Sequence, residues 1–309
     1  MFSFIRKTSQ DNSQTQPNGL SVSFEDLVNQ QRYLPYLSLN HNLLTSNQAG
    51  EVKSAFKGRG IELEEVREYI FGDDIRDIDW RVTARKSEPY TKVYSEEKDR
   101  EITVLLDLSA TMVFGTRCEL KSVAAAKITA LLGWLSIRNH DRFGVLIYDG
   151  AEISYFKPQN NMQNLMTVFN RISAKTADIL SQPQPGNLAD ALRRLQLHQK
   201  GQGTLFILSD FYGFDNDKFK NIAILAKKQT VYCINIFDVI EELAPTEGTY
   251  AAEYQGQKVV FNTQNRSFVI QYQQHFAARR EILKKNCQNF FCKYIEIRTD
   301  YPIFKQLRL

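Results

Sequence analysis

Only four cysteines, Cys118, Cys233, Cys287 and Cys292, occur in 309 residues, with no Cys-x-x-Cys pair and no histidine at zinc-finger spacing. This excludes the thiolate modules recognised by such spacing and predicts buried or free thiols in a reducing compartment. The four histidines, His41, His140, His198 and His275, are scattered and have no triad companion, which predicts surface or satisfied-core roles. No apolar run approaches the roughly 18 residues that cross a bilayer. The opening MFSFIRKTSQDNSQTQPNG has no apolar stretch long enough for a secretory signal, so the expected location is cytoplasmic. Phe2, Phe4 and Ile5 beside Arg6 and Lys7 allow at most a peripheral membrane contact. An internal repeat is also missing. The net charge of +4, from 39 Lys and Arg against 35 Asp and Glu, is too balanced to imply nucleic acid.

What the chain does have is an ordinary globular composition, 43% hydrophobic and 24% charged, enough to bury a sizeable core. Charge is unevenly placed: residues 61–100 carry 12 acids against 8 bases, and residues 263–309 carry 9 bases against 3 acids. These stretches could attract each other or face different partners. Residues 1–20 are rich in Ser, Gln and Asn and read as a disordered tail. Residues 21–100 read as an N-terminal region, with a helix over 24–39 interrupted by Pro35 and strand-like stretches over 59–97.

From 101 to 309 short apolar strands alternate with longer helices. Strands are expected at 102–108, 142–149, 152–157, 204–210, 230–238 and 292–298, and a hairpin about Gly256. Helices are expected at 118–139, 161–173, 187–199, near 215–228 and over 265–289. This alternation predicts an α/β fold with a mainly parallel sheet and helices on both faces, the strands at 142–157 forming an antiparallel edge pair. Ligands of such sheets sit beyond the carboxyl ends of the strands, where Asp107 and Asp210 stand.

The stretch VLLDLSATM (104–112) runs an apolar strand into Asp107, with Ser109 and Thr111 following at intervals of two. A carboxylate beside two hydroxyls can hold a hard metal ion, cap the following turn, or act as a nucleophile. DLSATM before a helix, LSD at a later strand end and the α/β order together resemble a von Willebrand factor A domain. The upstream REYIFGDDIRDIDWRVTARKSEPYTKVYSEE (67–97) resembles the signature of domain-of-unknown-function family fifty-eight. The resemblance covers roughly residues 58–240 and rests on two motifs in the expected order. It implies a von Willebrand factor A-like, Rossmann-like sheet and a bacterial protein-interaction module. It further implies a partnership with a MoxR-type AAA+ ATPase, as adaptor or substrate-recognition subunit, with no established enzymatic activity.

In such domains three loops bind Mg²⁺, which an acidic group of a partner completes. The resemblance assigns Asp107, Ser109 and Thr111 to the first loop and Asp210 to the third. In the second loop QPGNLADAL puts Gly186 where the family has a Thr ligand, so a metal-ion-dependent adhesion site here is partly degenerate and any Mg²⁺ bound weakly. In the competing reading Ser109 and Thr111 cap the turn while Asp107 accepts backbone N–H bonds.

Two charged stretches also carry two readings each. Asp73, Asp74, Asp77 and Asp79 interleave with Arg76, Arg81 and Arg85. They predict either an ion-pair network joining the N-terminal region to the von Willebrand factor A-like domain, with Ile75, Ile78 and Trp80 packed, or a partner-binding surface that includes Trp80. Arg279, Arg280, Lys284 and Lys285 on the long C-terminal helix read as a solvated face or as a surface for an acidic partner. The enzymatic alternative is a haloacid dehalogenase-type phosphatase with Asp107 as nucleophile and Asp210 and Asp215 as distal acids. That chemistry wants a second acid two residues on, and Ser109 stands there.

Overall fold

A computed structural model describes residues 19–37, 61–86, 88–96, 100–198, 203–246, 248–254 and 257–307. The described residues fall into two compact units, one of residues 61–96 and one joining 19–37 to 100–307. Most of the tail expected over 1–20, along with His41, lies outside the described residues.

The larger unit opens on α1 (Phe24–Asn29), set by a capping box in which Ser23 accepts from Asp26 N–H and Asp26 accepts from Ser23 N–H. A 3₁₀ turn, Gln30–Tyr36, holds Pro35. In the smaller unit β1 (Ile61–Glu68) and β2 (Tyr90–Glu96) pair antiparallel, and α2 (Trp80–Lys86) lies between them in sequence.

The chain then alternates through β3 (Glu101–Asp107), α3 (Lys121–Arg138), β4 (Arg142–Tyr148), β5 (Ile153–Gln159), α4 (Met162–Ser181) and α5 (Leu188–His198). There follow β6 (Thr204–Ser209), α6 (Asn216–Ala226), β7 (Thr230–Phe237) and α7 (Val239–Glu242). The hairpin β8 (Thr249–Tyr254) and β9 (Gln257–Asn262), α8 (Arg266–Asn289), β10 (Lys293–Arg298) and α9 (Ile303–Gln306) complete it.

Six strands form one sheet in the order β10-β7-β6-β3-β4-β5, parallel except for β5, which pairs antiparallel with β4 as its sequence predicts. β3 is buried on both faces because helices cover both. Val104 and Leu106 point into the layer beneath α1, α3 and α4, while Leu105 points into the layer beneath α5, α6 and α8. α3 is apolar nearly all round because it lies between the sheet and α1 with its 3₁₀ turn.

Trp134 of α3 donates its indole N–H to Leu27 O at 3.2 Å and meets Phe169 of α4 edge-on. Residues 24–37 therefore belong to the sheet unit. The compact units thus divide the chain differently from the single N-terminal region expected over 21–100, because the amphipathic α1 packs on the apolar surface of α3. Chain direction decides the site. From β3 the chain moves to β4 on one side, whereas β6 returns on the other, so the carboxyl ends of β3 and β6 flank a topological switch point.

Candidate functional site

Asp107 closes β3 at that switch point and is buried. Its Oδ1 accepts Ser109 N–H at 2.9 Å, an Asx turn that ends the strand, and its Oδ2 accepts the Ser209 hydroxyl at 2.6 Å from the end of β6. Asp210 follows Ser209. Its Oδ1 accepts Tyr212 N–H at 3.0 Å and the Thr111 hydroxyl at 3.2 Å, which ties the first and third loops together. Its Oδ2 accepts from Lys121 Nζ at 2.7 Å. Lys121 opens α3, is 2% exposed, and also donates to Glu241 Oε1 at 3.3 Å. Glu241 Oε2 in turn accepts Asp238 N–H at the end of β7, and Arg279 of α8 approaches Glu241 Oε1 at 3.7 Å.

The second loop packs on the first. Ala110 N–H donates to Gln184 O at 2.9 Å, and the Tyr148 hydroxyl at the end of β4 donates to Gly150 O and accepts Asn187 N–H, both at 2.8 Å. A Cβ on Gly186 would lie 2.8 Å from Ser109 Cβ and 2.9 Å from both Gly150 Cα and Tyr148 Cε1. Glycine is thus required for the close approach of these loops, and the Thr that the family places here does not fit the space.

Electrostatics follow from burial. Burial raises the Asp107 carboxyl to about 6, helped by the Asp210 charge and opposed by the hydrogen bonds from Ser209 and Ser109. Burial would raise Asp210 too, yet the Lys121 ammonium outweighs it and holds Asp210 below the usual carboxylate range. Burial would likewise lower Lys121, but Asp210 and Glu241 hold it above the usual range for lysine. The pair is thus ionised, Lys121⁺ against Asp210⁻.

Mg²⁺ takes about six oxygens at about 2.0–2.1 Å in an octahedron. Here both Asp107 oxygens accept hydrogen bonds, both Asp210 oxygens are occupied by Tyr212, Thr111 and Lys121, and Gly186 supplies no hydroxyl. Among the described residues no three His, Cys, Asp or Glu side chains gather to hold a metal. The donors in this arrangement do not fit the ion. Asp107, Thr111 and Asp210 lie together at the carboxyl ends of β3 and β6. Ser109 contributes its backbone N–H, and its side chain caps nothing.

The sequence reading missed Lys121, Ser209 and Glu241. The sequence offers only a faint signal, a lysine in the first turn of a largely apolar helix, where its charge opposes the helix dipole.

The charged stretch of the smaller unit works locally. Asp73 binds Arg67 in a two-pronged pair, both contacts at 2.8 Å. Asp74 caps the turn at Ile75–Asp77 by accepting Arg76 N–H, and Asp79 caps α2 by accepting Arg81 and Val82 N–H. Ile78 and Asp77 are half-buried, and Arg76, Arg81 and Arg85 are exposed. Within the smaller unit Ile75 and Trp80 are not packed, at 66% and 67% exposed. On α8 the solvated face holds for Lys284 and Lys285 alone. Arg280 instead pairs with Glu242 and Glu296 across the sheet edge, and Arg279 stacks over Tyr212 and Phe276. Asp210, Phe214, Asn235, Arg279 and Arg280 line a cleft of about 510 Å³ beyond the ends of β6 and β7. The four cysteines are free thiols, three of them buried.

This sheet, with its acid-and-hydroxyl loop after the central strand, defines a von Willebrand factor A-like domain. The chain belongs to the family described as "Protein of unknown function DUF58", whose sequence profile matches residues 65–282. It is 29% identical over 204 residues to the uncharacterized protein Rv1480 of Mycobacterium tuberculosis (strain ATCC 25618 / H37Rv), covering 64% of this chain and 62% of that one. The uncharacterized protein Mb1516 of Mycobacterium bovis (strain ATCC BAA-935 / AF2122/97) gives the same 29% over 204 residues, with the same 64% and 62% coverage. The match thus spans less than two thirds of these relatives' length.

Among solved structures it is similar to the conserved hypothetical protein BatB from Bacteroides thetaiotaomicron, at 15% identity and a TM-score of 0.41, covering 67% of this chain and 93% of that one. It is similar also to the SpRpn10 VWA domain, at 13% identity and a TM-score of 0.37, covering 66% and 91%. No helix among the described residues is long and apolar enough to cross a membrane.

Proposed function

We propose that the chain is a noncatalytic protein-interaction module that acts in the cytoplasm as an adaptor or substrate-recognition partner of a MoxR-type AAA+ ATPase. The observation that carries the reading is a run of large apolar side chains left in solvent within residues 70–80: Ile70 and Phe71, 63% and 100% exposed, with Ile75 and Trp80. Exposed apolar groups set among charges, here Asp74, Arg76, Arg81 and Arg85, mark protein-interaction surfaces. Tryptophan and arginine are the residues that most often dominate such contacts. The ATPase as partner is supported by the family resemblance of the 67–97 signature.

The loop face of the sheet unit supports a noncatalytic role. Asp107 is 3% exposed with both oxygens engaged, and the position of a general acid is filled by Ser109, whose hydroxyl cannot serve as one. This disfavours the phosphatase alternative. The adhesion site is accordingly degenerate, a structural clasp for the loops. A pull-down from native lysate, with and without ATP and Mg²⁺, tests the reading. Capture of an AAA+ ATPase is expected, and its absence in both conditions counts against the proposal.

A further inference from the structure

We propose that the Lys121 ammonium is a built-in replacement for the divalent ion, so that the three loops of this face are assembled without metal. The inference concerns the clasp alone and is independent of which partner the protein serves.

The geometry carries it. Lys121 Nζ lies 2.7 Å from Asp210 Oδ2 and 3.3 Å from Glu241 Oε1, with its side chain 3% exposed. The Phe114 ring lies 5.5 Å from the same nitrogen and adds a cation–π contact. One ammonium therefore joins the third loop, through Asp210, to the turn after β7, through Glu241, while Asp210 takes the Thr111 hydroxyl of the first loop. One cation thus ties two carboxylates together and, through Asp210, holds the first loop.

Position adds a second argument. Lys121 is the first residue of α3, where the helix dipole disfavours a positive charge, and it is buried, where an unpaired charge is not tolerated. Both penalties are offset chiefly by the two carboxylates, so the lysine is committed to them. Gly186 supplies the third argument. A hydroxyl-bearing residue is excluded there by Ser109, Gly150 and Tyr148, so the second loop closes on the first by backbone contact and offers no ligand. Removing the ammonium would leave Asp210 and Glu241, which now share one cation, free to share an added one.

The test compares the full chain with Lys121→Met, each melted in EDTA and in millimolar Mn²⁺, with free Mn²⁺ followed by electron paramagnetic resonance. The wild type is expected to melt at the same temperature in both and to retain no Mn²⁺. Lys121→Met is expected to melt several degrees lower in EDTA and to recover part of the loss in Mn²⁺ by mass action. The double variant Lys121→Met/Asp210→Asn, with both charges removed, is expected to melt above the single variant and to ignore Mn²⁺. Three results overturn the proposal. One is stoichiometric Mn²⁺ on the wild type with a rise in melting temperature that Asp210→Asn abolishes. Another is an equal loss in Lys121→Met with and without the ion, including failure to fold in both. The third is a double variant no more stable than the single one.

Discussion

Asp107 makes the clasp sensitive to pH in a direction opposite to that of an ordinary paired carboxylate. Burial, with the Asp210 charge behind it, lifts its folded-state value from 3.8 to about 6. Between these values the folded state binds more protons than the unfolded state, so stability falls as pH rises. The contribution is complete below about pH 4 and gone above about pH 6. At about 1.36 kcal/mol per unit, the shift amounts to roughly 3 kcal/mol. Asp107→Asn keeps the shape and removes the titration. Urea unfolding of both proteins at intervals from pH 4 to 7 isolates the effect, because other groups titrate alike in each. The stability of wild type minus variant should fall by about 2.5 kcal/mol across that range. A difference that is flat would refute the burial argument. A difference that grows with pH would show a carboxylate stabilised by a cation, as a working metal site requires.

Gly186→Thr should destabilise the protein by about 1–3 kcal/mol in urea unfolding, because the added Cβ meets Ser109, Gly150 and Tyr148 and overpacks the loops. Millimolar Mg²⁺ should not recover that loss, and recovery would mean that the new hydroxyl had completed a metal site. The purified protein should not turn over a chromogenic phosphate monoester. Activity above that of Asp107→Asn would restore the phosphatase alternative.

Much of the fold is legible in the sequence because apolar strands and amphipathic helices have different periods and both are long here. The strand ending at Asp107, the antiparallel edge pair β4–β5 and the 24-residue α8 all follow from local pattern. The docking of α1 on α3 does not, since the contact joins Leu27 to Trp134 across 107 residues. The site divides in the same way. Asp107, Thr111 and Asp210 are recognisable because each ends or follows a strand. Lys121 is hidden because a lysine beside a helix ordinarily reads as solvated, and only three-dimensional placement puts two carboxylates around it. The interleaved charges of 73–85 are hard to read for a related reason. Three of their four acids, Asp73, Asp74 and Asp79, serve as a local pair and caps, and nothing in the alternation tells that Ile75 and Trp80 stay exposed.

The claim that the 70–80 segment is a partner surface is tested most directly by binding of the AAA+ ATPase proposed as its partner to wild type and to Trp80→Ala, measured by calorimetry at matched melting temperature. Trp80 is 67% exposed, so its loss should change stability by no more than about 0.5 kcal/mol. A central aromatic anchor is worth about 2 kcal/mol or more, so affinity should fall roughly 30-fold or further. Undiminished affinity in a folded Trp80→Ala protein, with Phe71→Ala also neutral, would contradict the account.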